Sequence, residues 1–203
     1  GLARHLRIPL RTSHALQLLN KNKVISIDTL LVNGLVSVNV SGIGFDAHVA
    51  SKFGKEGKRG LVGYTRLVLQ EFRRYKEFEV EAKVDEVSRN EKTFIIAFAN
   101  SSQFGNNARV APHASVCDGV MDVCFIRKVP LAQVAGFASK MFTGQFHHSR
   151  FVDIIKSREF ETSFPKPMPY HIDGEPCTPT EKFVVSIRPA SLNVIVPVAT
   201  KKY

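Results

Sequence analysis

Apolar and polar residues alternate along much of the chain with a period of two, which predicts β-strands that each bury one face. Residues 35–41 read LVSVNVS, with valines on one side of the predicted strand and mostly polar residues on the other. The preceding Asn33–Gly34 dipeptide favours a type I′ turn and therefore a β-hairpin. Further strands are predicted from FEVEAKVDE, KTFIIAFAN, GVMDVCFIRK, VDIIKSREFETS, MPYHIDGEP, EKFVVSIRP and SLNVIVPV, with KTFIIAFAN central and a turn near Ser88–Asn90.

Three segments have helical spacing instead. SHALQLLN follows Pro9 with Ser13 as a candidate N-cap, and LAQVAGFASKMF follows Pro130. Between Leu61 and Tyr75, apolar residues recur at intervals of three and four and form one stripe. Proline, glycine and charged residues punctuate the predicted strands about every ten residues, as is typical of an antiparallel sandwich. The sequence predicts one domain, residues 1–203, that is mainly β: an antiparallel β-sandwich with inserted helices.

The charge of the chain favours anionic partners. There are 28 Lys and Arg residues against 18 Asp and Glu, a net charge of +10. Much of the excess lies between Lys52 and Lys76, where a solvated helix face is the simple explanation and an anionic surface the functional one. No aromatic interleaving, RNA-recognition pattern or zinc-finger pattern accompanies these cations, so nucleic acid is not an expected partner.

The cysteines and the hydropathy restrict the class of protein further. Three cysteines without a CxxC pair argue against a disulfide framework and a structural zinc site, and predict reduced thiols in a cytoplasmic protein. No apolar stretch approaches the roughly 20 residues that span a bilayer. The chain begins without Met inside a helix-like stretch, which indicates a fragment or a processed piece.

The first of three polar loops that could carry chemistry is SGIGFDAHVA, residues 41–50. Gly42 and Gly44 end a predicted strand, and Asp46 follows them. The pattern resembles a phosphate-binding glycine loop only loosely, since it lacks a third glycine and a lysine. A sharp strand-to-helix turn, with Asp46 near the start of the helix, is the structural alternative.

The second loop spans residues 99–123, where Asp118 and Asp122 are separated by four positions with a glycine between them. Carboxylates and turn carbonyls are ligands that suit Mg²⁺ or Ca²⁺, and a plain Asp-Gly turn is the alternative. His113 is a lone histidine beside Pro112, and the tandem His147–His148 lacks acidic or cysteine neighbours at ligand spacing. We therefore predict a structural role for His113 and a surface position for His147 and His148.

The third loop is HIDGEP, residues 171–176. Residues two apart on an extended chain project to the same side, so Asp173 and Glu175 would face one ligand together. Two close carboxylates repel each other, which can raise the pKa of one of them and suit it to act as a general base. A surface turn is again the structural alternative.

Five motifs in order carry a resemblance to a known family. They are GLARHLRIP, SGIGFDAHVA, NSSQFGNNARVAPHASVCDGVMDV, HIDGEP and SLNVIVP. In this order and at these intervals they resemble the diacylglycerol kinase-like lipid kinases, which include bacterial diacylglycerol/lipid kinases and sphingosine kinases. Members of that family have an N-terminal α/β domain with a GGDGT nucleotide-binding loop and a C-terminal β-sandwich. GGDGT is absent here, so the resemblance implies the C-terminal domain without its nucleotide-binding partner.

The resemblance also implies roles for single residues. It makes Glu175 the base that takes the proton of a lipid hydroxyl, with Asp173 beside it in the catalytic site. It implies a Mg²⁺ site at Asp118 and the carbonyl of Val120, with Ser115 standing where some relatives have a second Asp. Substrate contacts are implied for three residues: Asp46, Gly44 and Asn100.

The function implied is an ATP- and Mg²⁺-dependent lipid kinase that works at a membrane surface, with this chain as its substrate-side domain. Alone, without an N-terminal domain, the chain is expected to be inactive. The basic residues expected to face lipid headgroups are Lys55, Lys58, Arg59, Arg73 and Arg74. A cytoplasmic protein peripherally attached to the membrane follows, and a homodimer is one assembly open to it. Two alternatives remain: a non-catalytic lipid- or partner-binding module, and a NAD kinase-like enzyme with a soluble substrate.

Overall fold

The computed structural model describes residues 1–21, 23–52 and 61–198. Its strands are β1 Val24–Val32, β2 Leu35–Ser37, β3 Val40–Gly44, β4 Phe78–Val84, β5 Val87–Thr93, β6 Ile95–Ala99, β7 Gln103–Gly105, β8 Ala108–Arg109, β9 Met121–Ile126, β10 Val152–Ser157, β11 Glu159–Met168, β12 Tyr170–Ile172, β13 Glu175–Pro176 and β14 Thr180–Ile195. Its α-helices are α1 Leu2–His5, α2 Thr12–Leu16, α3 Phe45–Lys52, α4 Leu61–Arg74 and α5 Val134–Thr143, and 3₁₀ turns occur at Gln17–Lys21, Leu131–Gln133 and Phe146–His148.

Two six-stranded sheets account for most of these strands. The first sheet has the order β2-β1-β14-β11-β4-β5 and the second the order β10-β9-β6-β3-β12-β13, while β7 and β8 form a small ribbon. The strand pairs are antiparallel, and β6 lies inside the second sheet as predicted. Among the described residues, no helix combines the length and the hydropathy needed to cross a bilayer.

One hydrophobic core fills the space between the two sheets. Leu30 of β1 and Phe160 of β11 come from the first sheet, and Ile96 and Phe98 of β6 come from the second; all four are fully buried. The rings of Phe98 and Phe160 meet edge to face with their centroids 4.8 Å apart. Side chains of two sheets that share one core define a sandwich, so the predicted fold class is confirmed.

The turn at Asn33–Gly34 is confirmed and links β1 to β2. Both residues have positive φ, 49° and 83°, as a type I′ turn requires. The Asn33 side chain also donates to the carbonyl of Lys182 at 2.9 Å and accepts from the amide of Val184 at 2.8 Å. The turn is thereby fixed against β14.

The single strand predicted over residues 35–41 is wrong, because the chain crosses between the sheets here. β2 belongs to the first sheet and β3 to the second, with Val38 and Asn39 between them. Burial does not follow the alternation: Ser37 and Ser41 are 0% exposed and Val40 is 1% exposed, whereas Val36 is 55% exposed. Buried hydroxyls need hydrogen-bond partners, and these come from a distant hairpin described below.

Two other sequence predictions fail at element ends. The turn expected at residues 88–90 lies instead at Asp85–Glu86, where Asp85 takes a φ of 51°, and residues 88–90 belong to β5. Ser13 is not an N-cap, because α2 begins at Thr12 and Arg11 precedes it without a side-chain capping bond. Local propensity fixes the presence of these elements better than their bounds.

The C-terminal strands also differ from the prediction. EKFVVSIRP and SLNVIVPV form one strand, β14, which stays paired with β1 through an irregularity near Asp28. Ala190 within it has a φ of 48°. By contrast, VDIIKSREFETS divides at Arg158 into β10 and β11, which belong to opposite sheets.

Helix α3 packs beside the second sheet, and contacts with Phe94 and with α4 hold its start in place. Phe45 stacks on Phe94 at 4.5 Å between centroids and meets Phe72 of α4 edge to face at 5.7 Å. Glu71 of α4 is 6% exposed, and its Oε2 lies 2.7 Å from His48 Nε2 and 2.8 Å from Lys52 Nζ of α3. Both hydrogen bonds lower the pKa of Glu71, and the bond from Lys52 has the larger effect.

Candidate functional site

The HIDGEP segment forms a tight hairpin between β12 and β13. Ile172 pairs with Glu175, which leaves Asp173 and Gly174 as a two-residue turn with φ values of 51° and 94°. These positive values are typical of a type I′ turn, for which Asp-Gly is a preferred sequence. The expectation that Asp173 and Glu175 share one side of an extended chain is therefore wrong, because Asp173 lies in the turn itself.

The carboxylate of Asp173 holds the crossing between the two sheets. Its Oδ1 accepts hydrogen bonds from Ser37 Oγ at 2.7 Å and from the amide of Asn39 at 2.9 Å. Its Oδ2 accepts from the amide of Val38 at 2.9 Å. Ser41 in turn donates to Ser37 at 2.9 Å. Three hydrogen bonds to one carboxylate suit Asp173 to fixing the backbone at this crossing.

The carboxylate of Glu175 is in a different state. The residue is exposed on β13. Its carboxylate makes no hydrogen bond or ion pair with any of the residues that the structure describes. The turn that precedes it is fixed by Asp173, so the position of Glu175 in the fold is well determined. Glu175 is the acid of this hairpin that remains available to a ligand.

A second carboxylate, Asp46, lies against the same hairpin. It stands in the first turn of α3, where its Oδ1 accepts from the amide of Ala47 at 2.8 Å. Its Oδ2 lies 3.0 Å from Nε2 of His171, a β12 residue whose side chain is 4% exposed. The other ring nitrogen of His171, Nδ1, accepts from the amide of Gly174 at 3.1 Å. The hairpin and the start of α3 are therefore joined through one imidazole.

One glycine of β3 allows this close approach, and a second one allows the turn into α3. A Cβ on Gly42, which pairs with His171 across β3 and β12, would lie 2.5 Å from Asp46 Oδ2. Gly44 has a φ of 109°, and a Cβ there would lie 2.6 Å from the carbonyl oxygen of Phe94. Of the two interpretations of residues 41–50, the strand-to-helix turn is the one that fits the structure. Gly44, which was predicted to contact substrate, shapes that turn.

Tyr75 contributes a further polar group close to Asp46. It follows α4 and packs edge to face on Phe45 at 5.7 Å between centroids. Burial, and secondly the charge of Asp46, raise the pKa of Tyr75 to about 12. The phenol therefore keeps its proton at neutral pH and adds no charge to the surroundings of Asp46.

Asn100, the third residue predicted to contact substrate, is buried in the fold. It is 0% exposed, and its Nδ2 donates to the carbonyls of Asp28 at 2.8 Å and Val38 at 3.0 Å. Its Oδ1 has no partner within the described residues. In this arrangement Asn100 ties β1 to the crossing between the sheets and offers no exposed group to a substrate.

The residues predicted to hold Mg²⁺ are engaged with protein groups in this structure. Asp118 Oδ2 lies 2.6 Å from Nζ of Lys156, a residue of β10, and Asp118 Oδ1 accepts from the amide of Val120 at 3.4 Å. The hydroxyl of Ser115 accepts from the amide of Cys117 at 3.4 Å. Among the described residues, no group of three or more His, Cys, Asp and Glu side chains could hold a metal ion.

The ammonium of Lys156 lies close to both acids of this loop. Burial lowers its pKa, but the hydrogen bond to Asp118 and the charges of Asp122 and Asp118 outweigh burial, so the pKa is raised. Burial also raises the pKa of Asp122, and the charge of Lys156, whose Nζ lies 3.9 Å from Asp122 Oδ1, partly offsets it. One lysine therefore serves both carboxylates.

We expect millimolar Mg²⁺ and EDTA to leave the melting temperature of the wild-type protein unchanged in a thermal scan. In K156M the two carboxylates lose their cation, and Mg²⁺ should then raise the melting temperature by about 3 °C. K92M, which removes an exposed lysine from β5, is the matched control and should not respond. A wild-type protein that is stabilised by Mg²⁺ and destabilised by EDTA would overturn the assignment of Lys156.

The predicted basic surface is only partly described. Arg73 and Arg74 lie in the last turn of α4, and both are exposed. Lys55, Lys58 and Arg59 lie outside the described residues.

Of the three histidines considered in the sequence, His113 and His147 approach each other at 3.3 Å between their Nε2 atoms.

Sequence reasoning missed three residues that organise the site: His171, Glu71 and Lys156. Each acts through a partner far away in the chain, from 19 residues for the Glu71–Lys52 pair to 125 for the His171–Asp46 pair. The burial of Ser37 and Ser41 had a visible signal, since regularly spaced polar residues inside a β pattern can be a buried polar face. No comparable local signal marks Lys156.

Comparisons with known proteins find relatives over most of this chain. The chain is 26% identical over 173 residues to a protein of Shewanella frigidimarina named "Probable lipid kinase YegS-like", covering 84% of this chain and 55% of that protein. A protein of the same name from Pectobacterium atrosepticum is 25% identical over 195 residues, with coverages of 94% and 63%. The chain thus spans between half and two thirds of the length of these relatives.

Solved structures match the fold over nearly the whole chain. The crystal structure of a diacylglycerol kinase from Bacillus anthracis superposes with a TM-score of 0.70 at 16% identity, covering 97% of this chain and 62% of that one. A candidate diacylglycerol kinase from the same organism gives a TM-score of 0.76 at 20% identity, with coverages of 97% and 64%. At such identities these matches concern the fold alone.

The family is shown by a model that covers most of the chain. It matches residues 39–196, from the crossing between the sheets to the end of β14, and so includes Asp46, His171 and the Asp173–Glu175 hairpin. The chain therefore belongs to the family described as the YegS C-terminal NAD kinase beta sandwich-like domain.

Proposed function

We propose that this chain is the acceptor side of a lipid kinase that transfers the γ-phosphate of ATP to a lipid hydroxyl, such as that of diacylglycerol. The names of its relatives support a lipid substrate, and the hairpin of β12 and β13 supports the chemistry. The observation that carries the proposal is the division between two neighbouring acids: Asp173 is held by three donors, while Glu175 is exposed on the hairpin that Asp173 fixes.

In this proposal Glu175 is the general base. A lipid hydroxyl is a weak nucleophile, and a carboxylate that takes its proton as the oxygen attacks phosphorus lowers the barrier. Asp46, whose carboxylate is oriented by His171, lies against the same hairpin and in this proposal contacts the acceptor. Asp173 does not react, and its role is to hold the crossing and the hairpin together.

ATP and Mg²⁺ are proposed as donor and cofactor. Because Lys156 engages the Asp118 loop, we assign Mg²⁺ to the nucleotide and to residues outside this chain. Mg²⁺ would neutralise phosphate charge there, and positioning with such neutralisation is the main source of catalysis in phosphoryl transfer. No step of the proposal passes through Asp118, Val120 or Ser115.

The proposal also gives the basic surface a purpose. An enzyme that takes its acceptor from a bilayer gains about 1 kcal/mol for each Lys or Arg close to an anionic leaflet. Arg73 and Arg74 lie exposed at the end of α4, the helix that Glu71 fixes to α3 and therefore to Asp46. We propose that this end of α4 faces the headgroups in a protein that associates peripherally with the membrane.

The test is an acceptor comparison with the full-length protein. Radiolabelled ATP is supplied together with diacylglycerol in anionic mixed micelles, and in a parallel reaction with NAD. We expect label to appear in the lipid and not in NAD. Labelling of NAD in place of the lipid would support the soluble-substrate alternative, and no labelling of any lipid offered would favour a non-catalytic binding module.

A further inference from the structure

His171 connects the two parts of the acceptor site by both of its ring nitrogens. The amide of Gly174 can only donate, so Nδ1, which lies 3.1 Å from it, must be the unprotonated nitrogen. The ring proton then lies on Nε2, which donates to Asp46 Oδ2 at 3.0 Å. These two contacts select one tautomer of the imidazole, with a main-chain donor on one side and a carboxylate on the other.

The surroundings leave this imidazole little freedom. Its side chain is 4% exposed, and its strand β12 pairs with β3 so that His171 faces Gly42. The missing side chain of Gly42 is what admits the Asp46 carboxylate, because a Cβ there would lie 2.5 Å from Oδ2 and 3.1 Å from the imidazole Nε2. The Asp46 side chain remains 18% exposed, so it is held by His171 but still reachable by a ligand.

Each nitrogen has a different consequence for the site. Nδ1 holds the Gly174 amide, and Gly174 is the turn residue directly before Glu175. Nε2 holds Asp46, the acid at the start of α3 that is proposed to contact the acceptor. Loss of the first bond loosens the residue that takes the proton, and loss of the second loosens the residue that binds the lipid.

We propose that His171 is a positioning residue with two separable roles, orienting Glu175 through Nδ1 and Asp46 through Nε2. The proposal rests on the lipid kinase function proposed above. It does not require His171 to touch the substrate or to carry a proton during the reaction. Its role is to keep two acids, which come from different elements of the fold, in one fixed arrangement.

Two amide substitutions separate the roles in the full-length protein. In H171N the side-chain oxygen can replace Nδ1 as the acceptor for Gly174, but the side chain is too short to reach Asp46. In H171Q the amide nitrogen can replace Nε2 as the donor to Asp46, while the acceptor for Gly174 is lost. We expect H171N to raise the KM for diacylglycerol roughly tenfold with kcat nearly kept, and H171Q to lower kcat roughly tenfold with KM nearly kept.

The control is H14Q, which changes an exposed histidine of α2 and should alter neither constant. If His171 had only a structural role, both variants would lose stability and activity together, and one would not change KM while the other changes kcat. That result would overturn the proposal. Failure of the wild-type protein to phosphorylate any lipid would instead count against the proposed function.

A measurement without catalysis tests the geometry by itself. In nitrogen-15 NMR spectra of the wild-type protein, the imidazole of His171 should show a protonated Nε2 and an unprotonated Nδ1 at neutral pH. Observation of the Nδ1–H tautomer, or of rapid exchange between tautomers as in a free imidazole, would contradict the arrangement whether or not the variants fold.

Discussion

E175Q should abolish most of the lipid phosphorylation of the full-length protein and leave its fold intact. Glutamine has the shape of glutamate but cannot accept the proton of the hydroxyl, and general bases contribute roughly 10²- to 10⁴-fold to rates. We expect kcat to fall within that range while the KM for ATP changes little. Since Glu175 is exposed and its carboxylate has no partner in the described part of the chain, the melting temperature should stay the same.

Initial rates with diacylglycerol and labelled ATP, measured beside a thermal scan, check this expectation. E181Q is the matched control, because Glu181 is an exposed acid at the start of β14 and has no assigned role. Turnover by E175Q within a few-fold of the wild-type value would exclude Glu175 as the base. Loss of both turnover and stability would instead give Glu175 the structural role that we assign to Asp173.

D173N should act first on stability. Asparagine tolerates the positive φ of this turn, so the variant isolates the loss of the charged acceptor. One of its two terminal atoms becomes a donor and faces the hydroxyl of Ser37 or a main-chain amide of residues 38–39. Because Asp173 is exposed and water meets part of the unmatched donor, we expect a cost of about 1 kcal/mol, which corresponds to a fall in melting temperature of about 2–4 °C for a chain of this size.

Thermal unfolding followed by circular dichroism gives this number directly. The matched control is E86Q, since Glu86 lies in the corresponding turn between β4 and β5 and its side chain is 91% exposed. The control should melt with the wild-type protein. An unchanged melting temperature in D173N, accompanied by loss of turnover, would mean that Asp173 takes part in the reaction rather than in the fold.

The elements that the sequence predicted correctly are those fixed by local interactions. The Asn33–Gly34 turn, the central strand β6 and helix α4 each depend on residues within a few positions of one another. Backbone preferences and hydrophobic periodicity act at this range, so a single sequence is enough to identify them. The sandwich followed from the number and spacing of such strands.

The parts that the sequence could not predict depend on contacts across the chain. Asp173 meets Ser37 over 136 residues, and its placement in a turn reversed the expected direction of its side chain. Lys156 meets Asp118 over 38 residues and engages an acid that was predicted to bind Mg²⁺. Resemblance to a family identified the acidic loops, but only the packing of these loops revealed which acids are already engaged.

The division of labour within the Asp173–Glu175 hairpin is most directly tested by measuring turnover and melting temperature together on E175Q and D173N of the full-length protein. We predict that E175Q melts with the wild-type protein and loses most of its turnover. D173N should melt several degrees lower and, at a temperature where it is still folded, keep more turnover than E175Q. The reverse pattern, a stable but inactive D173N beside an active E175Q, would contradict the account.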